Sequence, residues 1–175
     1  AAYLYATAHR GALAVAKTPP VVQAVLAQIE PSVGRTGVIT PTAIFARPVY
    51  LSRTNVSRAS LHNYDEIRRL GLRIGDTVMV EKAGEIIPQV VNVVLDKRPK
   101  NSKPFGNPRK CPRCKAKLVS VGDEVALRCT NLACAEQLER RIEFYASKAG
   151  VDIEGMGEKV VAILVRKKFI TSIPR

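Results

Sequence analysis

The only four cysteines of this chain fall close together, as Cys111-x2-Cys114, fourteen intervening residues, then Cys129-x4-Cys134. A Cys-x2-Cys turn presents two thiolates to one ion about 2.3 Å away, and a second pair closes a tetrahedron with no position left open. The set therefore suits one structural Zn2+ and not a catalytic metal. Two disulfides would consume the same residues, and an iron–sulfur cluster would use the same thiolates. The excess of lysine and arginine and the absence of a recognisable secretory segment favour an interior compartment, where disulfides are rare. Pro112 and Asn131 suit tight turns, and residues 124–128, EVALR, read as a short strand leading to the second pair.

The second chemical signal is charge. With 28 Lys and Arg against 15 Asp and Glu, the net charge is +13 over 175 residues. Such a balance attracts a polyanion, nucleic acid first and an acidic membrane second. No run of about 20 apolar residues is present, so no membrane-spanning helix is expected. Between 96 and 117 the charge is concentrated in Lys97, Arg98, Lys100, Lys103, Arg109, Lys110, Arg113, Lys115 and Lys117, against Asp96 alone. Such a run is either a solvated linker or a contact with phosphates. Phe105 is its single aromatic residue, so base stacking has little to work with there.

Several kinds of element would have to position these groups. Residues 13–16 suit a strand ended by Thr18-Pro19-Pro20, and residues 21–29 a short helix with Val22, Val25, Leu26 and Ile29 on one face. From Val33 the pattern turns to short β-type runs, 38–45 and 48–51, with Pro41 and Pro48 expected at edges, strand ends or bulges. Residues 62–70 predict a small helix with Ile67 and Leu70 inward, closed by Gly71. Val78, Val80, Ile87, Val91 and Val93 predict strands bending at Ala83-Gly84. Short curved strands with one inserted helix point to a small closed barrel, of the five-stranded OB type or of the SH3-like type. Residues 135–148 and 158–168 predict helices around the Gly-rich turn 153–157, IEGMG. That arrangement is either a phosphate-binding helix-hairpin-helix or a plain αα-corner.

Four stretches in this order, VGRTGVITPTA at 33–43, VSRASLHNYDEI at 56–67, RIGDTVMVEKAGEIIPQV at 73–90, and the cysteines followed by VDIEGMGEK at 151–159, resemble bacterial NAD-dependent DNA ligases. The resemblance implies a multidomain chain, cut from something longer. Residues 1–32 would be the end of a nucleotidyltransferase domain with a linker and 33–100 an all-β OB-fold domain. Residues 101–135 would be a four-cysteine zinc module with its basic linker, and 136–175 part of a helix-hairpin-helix domain. It places Lys17, in AVAKTPP, at a contact with the AMP phosphate, although Ala16 and Thr18 stand where the family usually has aromatic residues. A solvent-facing lysine is the other reading of that position.

The same resemblance implies sealing of 3′-hydroxyl/5′-phosphate nicks in duplex DNA through enzyme-adenylate and DNA-adenylate intermediates. NAD would be used by an N-terminal part not present here, with Mg2+ required by the whole reaction. The Lys-x-Asp-Gly nucleophile motif is absent from these residues, so no catalytic residue is expected among them. The expected DNA-binding residues are Arg35, Arg58, His62, Asn63, Lys82, Lys97, Arg98, Gly155 and Gly157, and the metal ligands Cys111, Cys114, Cys129 and Cys134. Turn-capping is the alternative role for Arg35, and helix-capping or burial for His62. Lys82 stands where the family more often has Arg, which keeps the charge but loses the bidentate fork. A monomeric bacterial protein of the cytoplasm, working with nicked duplex, is the expectation. A non-enzymatic OB and zinc-ribbon module of replication or translation is the rival.

Overall fold

The computed structural model describes residues 20–83, 86–120 and 126–173. The expected strand at 13–16, Lys17, Gly84 of the expected bend and Glu124 lie outside them. Five strands form a closed barrel in the order β1-β2-β3-β5-β4, with β1 Val21–Val33, β2 Ile39–Leu51, β3 Thr54–Ser60, β4 Thr77–Ala83 and β5 Ile87–Val93. All neighbours are antiparallel except β3 and β5, which meet in parallel at Ser60 and Gln89. That is the OB-type closure, and it removes the SH3-like alternative. The short helix α1, Tyr64–Arg69, sits between β3 and β4 and turns Tyr64 and Ile67 into the core.

The helix expected over 21–29 is instead the first half of β1, so the barrel begins at Val21 and not at 33. The register of β1 against β2 shifts between Leu26 and Gln28, and this bulge is the cause of the misreading. Ala24 and Leu26 point inward before it; Ile29 and Val33 do so after it. One inserted residue moves the inward set from even to odd positions, so Val22, Leu26 and Ile29 acquire helix-like spacing. Val25, assigned to that helical face, is exposed.

Bulges shape the other strands too. The two runs expected at 38–45 and 48–51 are one strand, β2, whose register against β3 breaks between Ile44 and Val49, and Pro48 sits in that break. Pro41 is buried within the strand, opposite Pro31 of β1. Two residues without N–H groups can face each other only where the pair exchanges no hydrogen bonds, and the Pro41 carbonyl accepts from Leu61 on its other side at 3.2 Å. On β5 the register shift opposite Met79 and Val80 leaves Val91 unpaired, so Val90 and Val93 face inward and Ile87 is exposed.

Two three-residue strands, β6 Leu118–Ser120 and β7 Leu127–Cys129, pair antiparallel in the cysteine module. Helix α2, Ala135–Ala146, leads out of the last cysteine, and α3, Glu158–Arg166, packs back on it through Ile142, Val161 and Val165. No helix among the described residues is long and apolar enough to cross a membrane.

Candidate metal centre and nucleic-acid face

The cysteine site is built from two turns and one strand end. Residues 111–114 form the first knuckle, tightened where Lys115 N donates to Cys111 O at 3.1 Å and Cys111 N to Ala116 O at 2.8 Å. Lys115 takes a left-handed conformation, φ 63°, to close it. The second knuckle places Cys129 at the end of β7 and Cys134 at the N-cap of α2, with Cys134 N donating to Asn131 O at 3.0 Å.

All four thiols are free, and their sulfur atoms lie within 4.8 Å of one another. Cys111 Sγ stands 4.0 Å from Cys134 Sγ, and Cys114 Sγ 3.5 Å from Cys129 Sγ. Ligands about 2.3 Å from one central ion would stand roughly 3.8 Å apart, a value that these two spacings bracket. The residues thus fit a tetrahedral thiolate site, and the two-disulfide alternative falls away.

Electrostatics agree with a cation at the centre. Desolvation opposes ionisation of Cys114, but hydrogen bonds from the Ala116 amide, the Asn131 side chain and the neighbouring thiols outweigh it and bring its pKa down to about 6. Burial pushes Cys129 up to about 12, and Cys134 upward as well. A thiolate forms readily at Cys114, while burial first and the neighbouring thiols second disfavour charge on Cys129 and Cys134, a cost that a divalent ion would offset.

The module is fastened to its neighbours by polar contacts. Arg113 reaches Glu136 at 3.8 Å and Glu139 at 3.5 Å on α2. Buried Gln137 donates through Nε2 to Cys129 O at 2.9 Å and to Asn131 O at 3.1 Å. Sequence reasoning did not single out Gln137, because a polar residue early in a helix carries no sign of burial.

The expected DNA-binding residues are spread over several elements. Arg35 lies in the turn between β1 and β2, exposed, with its guanidinium carbon 3.9 Å above the centre of the Phe144 ring of α2. Arg58, on β3, is exposed and paired with Glu30 on β1. Lys82, on β4, reaches Thr54 Oγ1. Lys97 reaches Gln23 Oε1 at 2.7 Å. His62 is exposed in a left-handed conformation, φ 58°, while the N-cap of α1 belongs to Asn63, whose Oδ1 accepts from Glu66 N at 2.8 Å. Both line a cleft of about 360 Å3 against Leu127 and Arg128 of β7, so these two are brought beside the metal module.

Arg98 has a structural task. Its guanidinium grips the wholly buried carboxylate of Asp76 at 2.8 and 2.9 Å and also donates to Gly71 O at 2.8 Å. Hydrogen bonding to Asp76 raises the arginine pKa above its ordinary value. Asp76 in turn accepts from Arg73 N at 2.9 Å, and Arg73 Nη1 donates to Ser102 O at 3.0 Å. The basic stretch is thereby strapped to the barrel. Phe105 stacks against Tyr64, with rings 6.5 Å apart and 11° from parallel.

At the far end, Gly155 has φ 78° and Gly157 caps α3, both with open space around their α-carbons. They line a cleft of about 620 Å3 together with Lys148, Glu143, Asp152 and Glu158. An anion there meets three carboxylates, so the lysine and the backbone amides must outweigh them. The tip between β4 and β5 carries two strongly exposed isoleucines, Ile86 and Ile87. Ile87 falls in a strand as expected, but alternation gave no sign that it is exposed at this tip.

Comparison with known proteins fits this geometry. Residues 23–102 match the NAD-dependent DNA ligase OB-fold domain, and residues 110–135 the NAD-dependent DNA ligase C4 zinc finger domain. A DNA ligase of Lactobacillus gasseri is 51% identical over 158 residues, 90% of this chain and 24% of its own length. One from Geobacter sulfurreducens is 46% identical over 164 residues, 94% of this chain and 24% of its own. One from Lysinibacillus sphaericus is 49% identical over 148 residues, 85% and 22% respectively. The chain spans about a quarter of the length of these relatives. With its barrel matching the first domain and its cysteine module the second, the chain belongs to the NAD-dependent DNA ligase family as a fragment carrying those two domains.

Proposed function

We propose that this chain is the part of an NAD-dependent DNA ligase that holds nicked duplex in place while another domain performs the chemistry. The observation that carries this reading is an OB barrel and a four-cysteine module of ligase type on a chain of net charge +13. Phosphate contacts grip duplex without reading sequence, which suits an enzyme that must accept any nick. Arg35, Arg58, Lys82 and Lys97 supply the cations, with His62 and Asn63 contributing from the cleft beside β7. The exposed Ile86-Ile87 tip offers an apolar contact of the kind that enters a minor groove.

The whole reaction joins a 3′-hydroxyl to a 5′-phosphate through an enzyme adenylate and a DNA adenylate. Its lysine nucleophile lies in Lys-x-Asp-Gly, which these residues do not contain, so NAD and Mg2+ act elsewhere. Cys111, Cys114, Cys129 and Cys134 hold Zn2+, which supplies folding energy to the module. Every other contribution of this chain is binding and orientation. Lys17 remains a proposed contact to the nucleotide phosphate, outside the described residues. The working unit is a monomer in the bacterial cytoplasm.

The test is binding of the zinc-loaded chain to nicked duplex, intact duplex and single strand of equal length over a range of salt. Nicked duplex is expected to bind most tightly, with affinity falling steeply as salt rises. Equal affinity for the two duplexes contradicts nick clamping. Tighter binding to single strand supports the rival OB module, in which bases stack.

A further inference from the structure

The backbone of Cys129 is engaged on both sides. Its N–H donates to Gly37 O at 2.8 Å, and its carbonyl accepts from Gln137 Nε2 at 2.9 Å. Beside it, Val38 and Arg128 form an antiparallel bridge between the barrel and β7. Gly37 has φ 82°, and a β-carbon there would stand 2.3 Å from Cys129 O and 3.3 Å from Gln137 Cδ. No side chain fits that junction. Gly37 N also donates to Gly34 O at 2.9 Å, closing the turn that carries Arg35. Across from it, Phe144 covers one face of the Arg35 guanidinium. Stacking of this kind leaves the N–H edge of a guanidinium open to a phosphate.

We infer that Cys129 couples metal loading to the pose of Arg35: its sulfur is anchored in the zinc site while its backbone holds the 34–37 turn, with Gly37 and Gln137 as positioning residues. The strand β7 has only three residues, and a two-stranded ribbon of that size does not hold its shape by itself. The ion fixes Cys129, Cys129 fixes the Gly37 carbonyl, and the turn presents Arg35. The role of Arg35 rests on the DNA-clamping reading given above; the link from metal to turn does not.

Gly37→Ala, Gln137→Ala, Arg35→Ala and the double variant Gly37→Ala/Arg35→Ala test this in the zinc-loaded chain. The two positioning variants are expected to retain one zinc per chain. Their Cys129 amide should exchange at least about tenfold faster, because Gly37→Ala displaces the carbonyl that accepts from it and Gln137→Ala releases the Cys129 carbonyl that holds the strand in place. On nicked duplex their salt slope should fall by about 0.9, the loss of one phosphate contact, and so should that of Arg35→Ala. The double variant should add nothing further, because both changes act through one guanidinium.

Additive losses in the double variant overturn the coupling. If Gly37→Ala does not fold, Gln137→Ala, alone and combined with Arg35→Ala, carries the same comparison without a change in the turn's own sequence. An unchanged slope for Arg35→Ala overturns its phosphate role alone. The metal link is judged separately, and protection of the Cys129 amide that survives zinc chelation overturns it.

Discussion

In the barrel, Leu26, Ala43, Val78 and Val80 are wholly sealed from water, and five strands close on one another with no free edge. In the cysteine module, two strands of three residues cover little more than Leu118 and the cysteines themselves. Each large side chain sealed in the barrel contributes about 1.5–3 kcal/mol, and there are many of them. The few buried residues of the module extend the barrel's core and form no reserve of comparable size, so the module depends mainly on the ion, for which binding and folding are one free energy. Apolar closure tolerates irregular register, as the bulges of β1, β2 and β5 show. Metal closure requires particular residues at particular spacings.

The contrast can be broken first at the metal. Cys114→Ser removes one of four donors, and the module should lose most of a metal-linked stabilisation on the order of 10 kcal/mol, while the barrel keeps its own transition. Zinc stoichiometry by native mass spectrometry, together with thermal unfolding, checks this. Full zinc occupancy in the variant would mean that the four thiols do not share one ion.

A smaller effect is expected where the barrel depends on a polar contact. Arg98→Ala leaves the buried Asp76 carboxylate without its guanidinium, which should cost about 3 kcal/mol of barrel stability. The basic strap from Arg98 to Ser102 should loosen with it, since Arg98 and Arg73 together hold that stretch to the barrel. Urea denaturation gives the stability, and a loss below about 0.5 kcal/mol would reduce the pair to a surface ion pair.

The same difference decides what could be read from the amino acids. The four-cysteine set was fully legible, because ligand chemistry fixes both residue type and spacing. The barrel class was legible from β4 and β5, yet β1 looked helical because its bulge at Ala27 converts alternation into the spacing of 22, 26 and 29. The charge run could not be apportioned. Arg98 reads like Lys100 in sequence, but it meets a buried carboxylate twenty-two positions earlier while Lys100 is exposed. Gly37 stands in the stretch 33–43 that carries the family resemblance, whereas its contact with Cys129 depends on residues far apart in the chain.

Burial holds the barrel and metal holds the module, with the two joined at Cys129. A chelator titration followed by residue-resolved amide spectra tests this most directly. Signals from 110–120 and 126–134 should collapse together with the ion, and those of β1 to β5 should persist, shifting only near Gly37. Persistence of the module signals without metal, or loss of the barrel along with it, would show that the two are not held by separate means.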